Sequence, residues 1–189
     1  MNAAREPLVV HPVPLTLDHD LSGFSCVEPE IAEYLTKEAL PAGDLGLCRT
    51  YVACAPATNQ VISFVGLSAS SQQASVPVSG KPRGTYKSVL PGQLGQTKYP
   101  VPMILIAQLG THTDWSGRKI GTQMTLFAIA KAIAVSEQVG AAGIILDALR
   151  SSLFDFYQRF HFTDLKIPNR RRMLLTMAEA RATVAAARG

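Results

Sequence analysis

Three cysteines in 189 residues are too few and too scattered to staple a fold. Cys26, Cys48 and Cys54 are odd in number and show no C-x-x-C spacing. That argues against a disulfide framework and a zinc site, and for reduced thiols in a cytoplasmic protein. Long apolar runs are missing too, for none approaches the roughly 18 residues of a membrane span. The opening MNAAREPLVVHPVPL has one early arginine and an apolar patch broken by prolines, which makes a poor signal peptide. There are no internal repeats and no second composition block. At 47% hydrophobic residues, the expectation is one domain over residues 1–189 with a proper core.

Acid is scarcest in the middle of the chain. From Leu45 to Ser136 the sole acid is Asp114, against Arg49, Lys81, Arg83, Lys87, Lys98, Arg118, Lys119 and Lys131. Residues 1–44 carry eight acids against two bases, so the net charge of +4 understates a strongly positive centre. Such a field attracts polyanions. A solvated basic surface would have the same composition, and charge alone leaves both readings open.

What is present is organised around Val101–Gly140. Met103–Ala107 is a short apolar run between Pro102 and Gly110 and reads as a buried strand. A polar loop follows from Thr111 to Lys119, with Gly117 inside it and Gly121 closing it. From Thr122 to Gly140 the spacing of Met124, Phe127, Ala128, Ala132 and Val135 is helical. Strand, glycine-bearing loop and helix start direct backbone N–H groups and the positive end of a helix dipole to one spot, which suits a phosphate. The spacing is neither a Rossmann G-x-G-x-x-G nor a P-loop.

Around this unit, residues 8–20 read as an edge strand and turn, limited by Pro12 and Pro14. Glu28–Leu40 has one apolar helical face in Ile31, Leu35 and Ala39, and Pro41–Asp44 ends that helix. Tyr51–Ala55 and Val61–Leu67 read as a hairpin. Ser68–Pro100 lacks periodicity and reads as a long loop, mobile or functional, whose Lys81, Arg83, Tyr86, Lys87, Lys98 and Tyr99 suit a nucleic-acid backbone. Gly143–Asp147 reads as a second buried strand, with a helix starting at Ser151/Ser152. Met173–Met177 reads as a last strand, and Ala178–Ala187 as an alanine-rich terminal helix or tail.

Two of these segments carry a family signature. Ser116-Gly117-Arg118-Lys119-Ile120-Gly121 lies in register with the [Q/R]-x-x-G-x-[G/A] pyrophosphate loop of GNAT N-acetyltransferases. Forty residues on, Phe156-Tyr157-Gln158-Arg159-Phe160-His161-Phe162 matches the family's F-Y-x-x-x-G-F. Ser116, Lys119 and His161 stand where the family has Gln or Arg, Gly, and Gly. Upstream, Phe24, Cys26, Glu30, Tyr34-Leu35 and Ala39, then Arg49-Thr50-Tyr51-Val52-Ala53, then Gly66-Leu67-Ser68-Ala69 resemble the GNAT toxins of toxin–antitoxin pairs. With Asp147-Ala148 the likeness covers about residues 24 to 177.

The resemblance implies an α/β fold, a central mixed sheet flanked by helices with a V-shaped splay between the strands near 103–109 and 143–147. It implies acetyl-CoA as donor with no metal, and the α-amine of aminoacyl-tRNA as acceptor. It also implies a ribbon-helix-helix antitoxin and a homodimer. Cofactor contacts would fall to Leu109, Gly110 and Thr111 and to Ser116, Gly117, Arg118, Lys119, Ile120, Gly121 and Thr122. Tyr157 would protonate the leaving thiolate. The tRNA would meet Arg49, Lys81, Arg83, Lys87 and Lys98. His112 and Asp114 could relay a proton or be loop residues satisfied by solvent. A small-amine or protein N-acetyltransferase, and a catalytically degenerate binding module of the same fold, remain as alternatives.

Overall fold

A computed structural model describes residues 8–188. The start of the N-terminal segment weighed above as a signal peptide, residues 1–7, lies outside the described residues, as does residue 189. The chain forms two compact units, Met1–Ser68 with Ile106–Ala128 and Ala69–Leu105 with Ile129–Gly189.

In chain order the first elements are β1 (Val13–Pro14), α1 (Pro29–Glu33), α2 (Ala39–Asp44), β2 (Arg49–Cys54) and β3 (Val61–Gln72). A small hairpin, β4 (Ser75–Pro77) and β5 (Tyr86–Ser88), precedes β6 (Val101–Thr111), α3 (Ile120–Val139) and β7 (Gly143–Asp147). Then come α4 (Phe154–Gln158), β8 (Thr163–Asp164), β9 (Arg172–Thr176) and α5 (Met177–Arg188). The hydrogen-bonded strand order is β1-β2-β3-β6 in the first unit and β6-β7-β9-β8 in the second. β1–β2, β2–β3, β7–β9 and β8–β9 are antiparallel. β6 and β7 are neighbours joined through α3, the crossover that parallel neighbours require. The expected mixed sheet flanked by helices is what forms.

In the first unit β3 is buried from Val61 to Leu67, as a strand covered on both faces should be. Ile31, Leu35 and Ala39 pack with Val52, Val61 and Phe64, so the apolar face read from the sequence is the buried one. The expected single helix over 28–40 is instead interrupted. Between α1 and α2 the chain widens into a π-helical turn, Tyr34–Glu38, where the Ala39 N–H donates to the Tyr34 carbonyl five residues back. Pro41 explains this: it has no N–H to give the Lys37 carbonyl, and its ring crowds that carbonyl. The widened turn sets Tyr34 over Phe64, stacked at 6.2 Å between ring centroids. The hydroxyls of Tyr34 and Thr50 are buried, and burial, with the neighbouring Cys48 thiol, pushes the Tyr34 phenol up to about 12.

In the second unit Ala74, Leu90 and Val101 pack with Met103, Ile145 and Leu174. This core explains why residues 68–100 are not the structureless loop that their composition suggests. β3 continues to Gln72, β4 and β5 pair in register from Ser75↔Ser88 to Pro77↔Tyr86, and Gly92–Gln96 is a 3-10 helix. Leu90 and Ala74 anchor the hairpin, a tertiary cause that leaves no periodic trace in the sequence. Arg172 forks onto the Asp147 carboxylate across β9 and β7 and donates to Gln72 Oε1 at 3.1 Å.

Gly143 is tightly enclosed in this second core. A Cβ there would meet the Leu175 carbonyl oxygen at 2.8 Å and Leu174 Cδ1 at 2.9 Å. The carbonyl belongs to the β7–β9 ladder and cannot retreat. Gly143→Ala is therefore expected to destabilise the protein by about 1–3 kcal/mol, read as a lower urea midpoint with an unchanged slope.

Candidate active site

The first half of the site grows out of the end of β6. Gly110 is buried because Ile31 Cγ2 and Phe64 Cε1 would each lie 2.8 Å from a Cβ there. Its carbonyl accepts from the Ser63 hydroxyl at 2.8 Å, and Ser63 Oγ also lies 2.9 Å from Thr111 Oγ1. Ser63, fully buried within an apolar strand, thus fixes the carbonyl side of the strand end. A lone serine in the run Val-Ile-Ser-Phe-Val is the signal that could have found it.

After Thr111 the chain makes a 3-10 turn, Thr113–Trp115, and enters the loop that the resemblance assigns to the pyrophosphate. Gly117 has φ +80° and Lys119 has φ +59°, both left-handed. At 119, where the family carries glycine, the backbone keeps the glycine conformation and a lysine endures it, at a cost of roughly 1–2 kcal/mol. α3 starts at the next residue, so Ile120, Gly121 and Thr122 present N–H groups that have no acceptor within the helix. Ser116, Gly117 and Lys119 are exposed. Arg118 is half-buried, its guanidinium carbon 5.0 Å from the Trp115 ring centroid, and its buried Nε has no partner among the described residues. A buried guanidinium N–H lacking an acceptor, beside a helix N-terminus, is suited to an oxyanion.

His112 is not a solvent-satisfied loop residue, and this expectation is corrected. It is buried, Nδ1 accepts from the Asp114 N–H at 3.1 Å, and Nε2 lies 3.0 Å from the Gly23 carbonyl. Those bonds call for a proton on Nε2, and the ring stands at 83° to Phe24 with centroids 5.7 Å apart. Both nitrogens are committed, which leaves none to relay a proton. Asp114 has an 86% exposed side chain.

Tyr157 lies in the second unit, on α4, and is buried. Burial pushes its hydroxyl up to about 12, so the phenol is neutral at physiological pH. Phe156 meets the ring edge-on at 5.1 Å and Phe162 at 5.9 Å. The backbone explains the spacing of the motif. The Phe162 N–H donates to the Tyr157 carbonyl at 3.3 Å, the His161 N–H donates to the Gln158 carbonyl at 2.9 Å, and His161 has φ +65°. This is a Schellman cap, in which the motif's glycine position supplies the left-handed residue and the last phenylalanine packs back on the tyrosine.

The basic candidates are all exposed. Lys81 and Arg83 sit in the turn of the β4–β5 hairpin, Lys87 on β5, and Lys98 just before β6. Arg49 opens β2 in the first unit. The hairpin gathers the first three on one short element, which no sequence spacing revealed.

No family model matches the chain. It is 28% identical over 165 residues to a tRNA-acetylating toxin of Mycobacterium tuberculosis, covering 87% of this chain and 90% of that protein. Among solved structures, AtaT complexed with acetyl-methionyl-tRNAfMet superposes with a TM-score of 0.76 at 20% identity, covering 92% of this chain and 98% of that one. A tyrosine-to-phenylalanine mutant of AtaT, bound to the C-terminus of the antitoxin AtaR and to acetyl-CoA, gives 0.72 at 18% identity, covering 94% and 99%. The chain shares the fold of these AtaT structures. Within that fold the departures at Lys119 and His161 are substitutions of side chain, with the left-handed backbone retained.

The cap gives a direct test. His161→Gly removes the left-handed penalty at an exposed site and is expected to raise stability by about 0.5–1 kcal/mol, measured by chemical denaturation. His161→Val, β-branched in the same conformation, is expected to lower it.

Proposed function

We propose that the chain transfers an acetyl group from acetyl-CoA to the α-amine of aminoacyl-tRNA, blocking translation as a toxin that an antitoxin partner restrains. The likeness to the tRNA-acetylating toxin over 87% of the chain carries this reading. The residues at the loop fit the donor: two left-handed positions, the start of α3 and the Arg118 Nε, which has no partner among the described residues. An aminoacyl-tRNA substrate places the working protein in the cytoplasm. Among the described residues no helix is long and apolar enough to cross a membrane.

Bound there, acetyl-CoA supplies a thioester carbonyl that accepts the amine's electron pair as the C–S bond breaks and the thiolate departs. The loop N–H groups and the charges of Arg118 and Lys119 hold the diphosphate. Backbone N–H groups from Leu109 to Thr111 orient the acyl arm and its oxygen. Tyr157 keeps a proton at Oη for the departing sulfur, and its raised value means the proton is still there at neutral pH. A strong base is unnecessary, since an α-amine titrates near about pH 8 and an adjacent ester lowers that further. Lys81, Arg83 and Lys87 on the hairpin meet the RNA backbone, where released counterions make binding steeply salt-dependent.

The test measures acetylation of aminoacyl-tRNA and of the matching free amino acid at rising salt. The tRNA-linked amine is expected to react well and to lose rate sharply with salt, and Lys81→Ala with Arg83→Ala to mimic that loss. Tyr157→Phe is expected to cut turnover on the order of ten- to a thousandfold with little change in melting temperature. Equal rates on the free amino acid, or indifference to salt, would move the assignment to a small-amine acetyltransferase. No acetyl transfer at all, with acetyl-CoA binding weaker than millimolar in calorimetry, would leave a degenerate binding module.

A further inference from the structure

Gln123 has no part in the chemistry above, yet its side chain bridges more than a hundred residues of sequence. Its Oε1 accepts from the Val10 N–H at 3.0 Å, and its Nε2 donates to the Leu8 carbonyl. The side-chain amide thus binds the N-terminal segment as a neighbouring strand would, with one donor and one acceptor. The same segment reaches the phosphate loop directly, because the Leu8 N–H donates to the Arg118 carbonyl at 3.3 Å. Meanwhile the Gln123 backbone N–H donates to the Lys119 carbonyl at 3.2 Å. The carbonyls on both sides of the Lys119 α-carbon are therefore tied, one to the strap and one to the residue that holds the strap.

These bonds matter because of what peptide planarity imposes. In a trans peptide the C=O of one residue and the N–H of the next point in opposite directions. No cis peptide occurs among the described residues. Anchoring the Arg118 carbonyl to the strap turns the Lys119 N–H away from the strap. In this arrangement Lys119 holds a left-handed φ of +59°, which glycine would adopt freely and lysine resists.

We propose that Gln123 is a positioning residue for the acetyl-CoA loop: by clamping the Leu8–Val10 strap it holds the Arg118–Lys119 peptide in the anion-binding orientation and offsets the absence of glycine at 119. The inference rests on the donor assignment made above, but the loop geometry can be tested without the donor. Gln123 acts through the backbone of its neighbours and touches no reacting atom.

The experiment is a double-mutant cycle on Gln123→Ala and Lys119→Gly, read in two ways. In the ligand-free protein, Gln123→Ala is expected to speed amide hydrogen exchange across residues 117–121 while the β7 and β9 amides keep their protection. In calorimetry and steady-state kinetics, Gln123→Ala is expected to raise the Kd and KM for acetyl-CoA about tenfold at nearly constant kcat. In the Lys119→Gly background both effects of Gln123→Ala are expected to shrink, because a glycine needs no clamp to stay left-handed. Unchanged loop exchange in Gln123→Ala, or effects that simply add in the double variant, would overturn the proposal. A wild-type protein that fails to bind acetyl-CoA would sink the enzyme reading, and the hydrogen-exchange cycle would still decide the clamp.

Discussion

In each unit one candidate segment depends on a residue that holds the backbone on the left-handed side. Lys119 turns the chain from the β6 loop into α3, and His161 turns it out of α4. Without the first turn the loop would not end at the helix start. Without the second, the Tyr157 carbonyl would lose its Phe162 partner and the ring its packed edge. Each costs roughly 1–2 kcal/mol that a glycine would avoid. The surroundings over-determine both conformations, through the strap and helix start at one and the capping bonds at the other. A strained backbone persists only where its neighbours enforce it.

The electrostatics divide in a similar way. Tyr157 is wrapped in aromatic rings, and burial keeps its proton on. The bases of the hairpin stay exposed, where water screens them and a polyanion can displace counterions. On the proposed reading, a proton donor benefits from a dry setting, whereas an RNA-binding surface works only if it remains wet and accessible. Arg118 lies between these extremes, half-buried against Trp115 with one N–H lacking an acceptor.

The parts of the fold legible in sequence were those whose cause is local. Val61–Leu67 and Gly143–Asp147 announce themselves as apolar runs because both faces are covered, and the Ile31, Leu35, Ala39 spacing marks a buried helical face. The full span of β6 was not legible, because Pro102, Gln108 and Gly110 break the apolar pattern and only neighbouring strands complete it. The β4–β5 hairpin was hidden for the same reason, being held by Leu90 and Ala74 against a distant core. The loop at 116–122 and Tyr157 were singled out through motif likeness, and the structure shows those motifs as turns of defined hand. His112 was misjudged because a histidine after a strand looks polar and free, while its two partners, Gly23 and Asp114, are visible only in three dimensions. The Gln123 clamp left no trace in the sequence at all.

Gly66 and Cys48 carry one more consequence. A Cβ at 66 would lie 2.8 Å from the Cys48 sulfur, so the thiol fills the space that the glycine leaves. Cys48 is buried in the stretch that joins α2 to β2. An alkylating reagent can reach this thiol only when the junction opens. The rate at which Cys48 is labelled, read apart from the half-buried Cys26 and Cys54, is therefore a clock for local opening in the first unit.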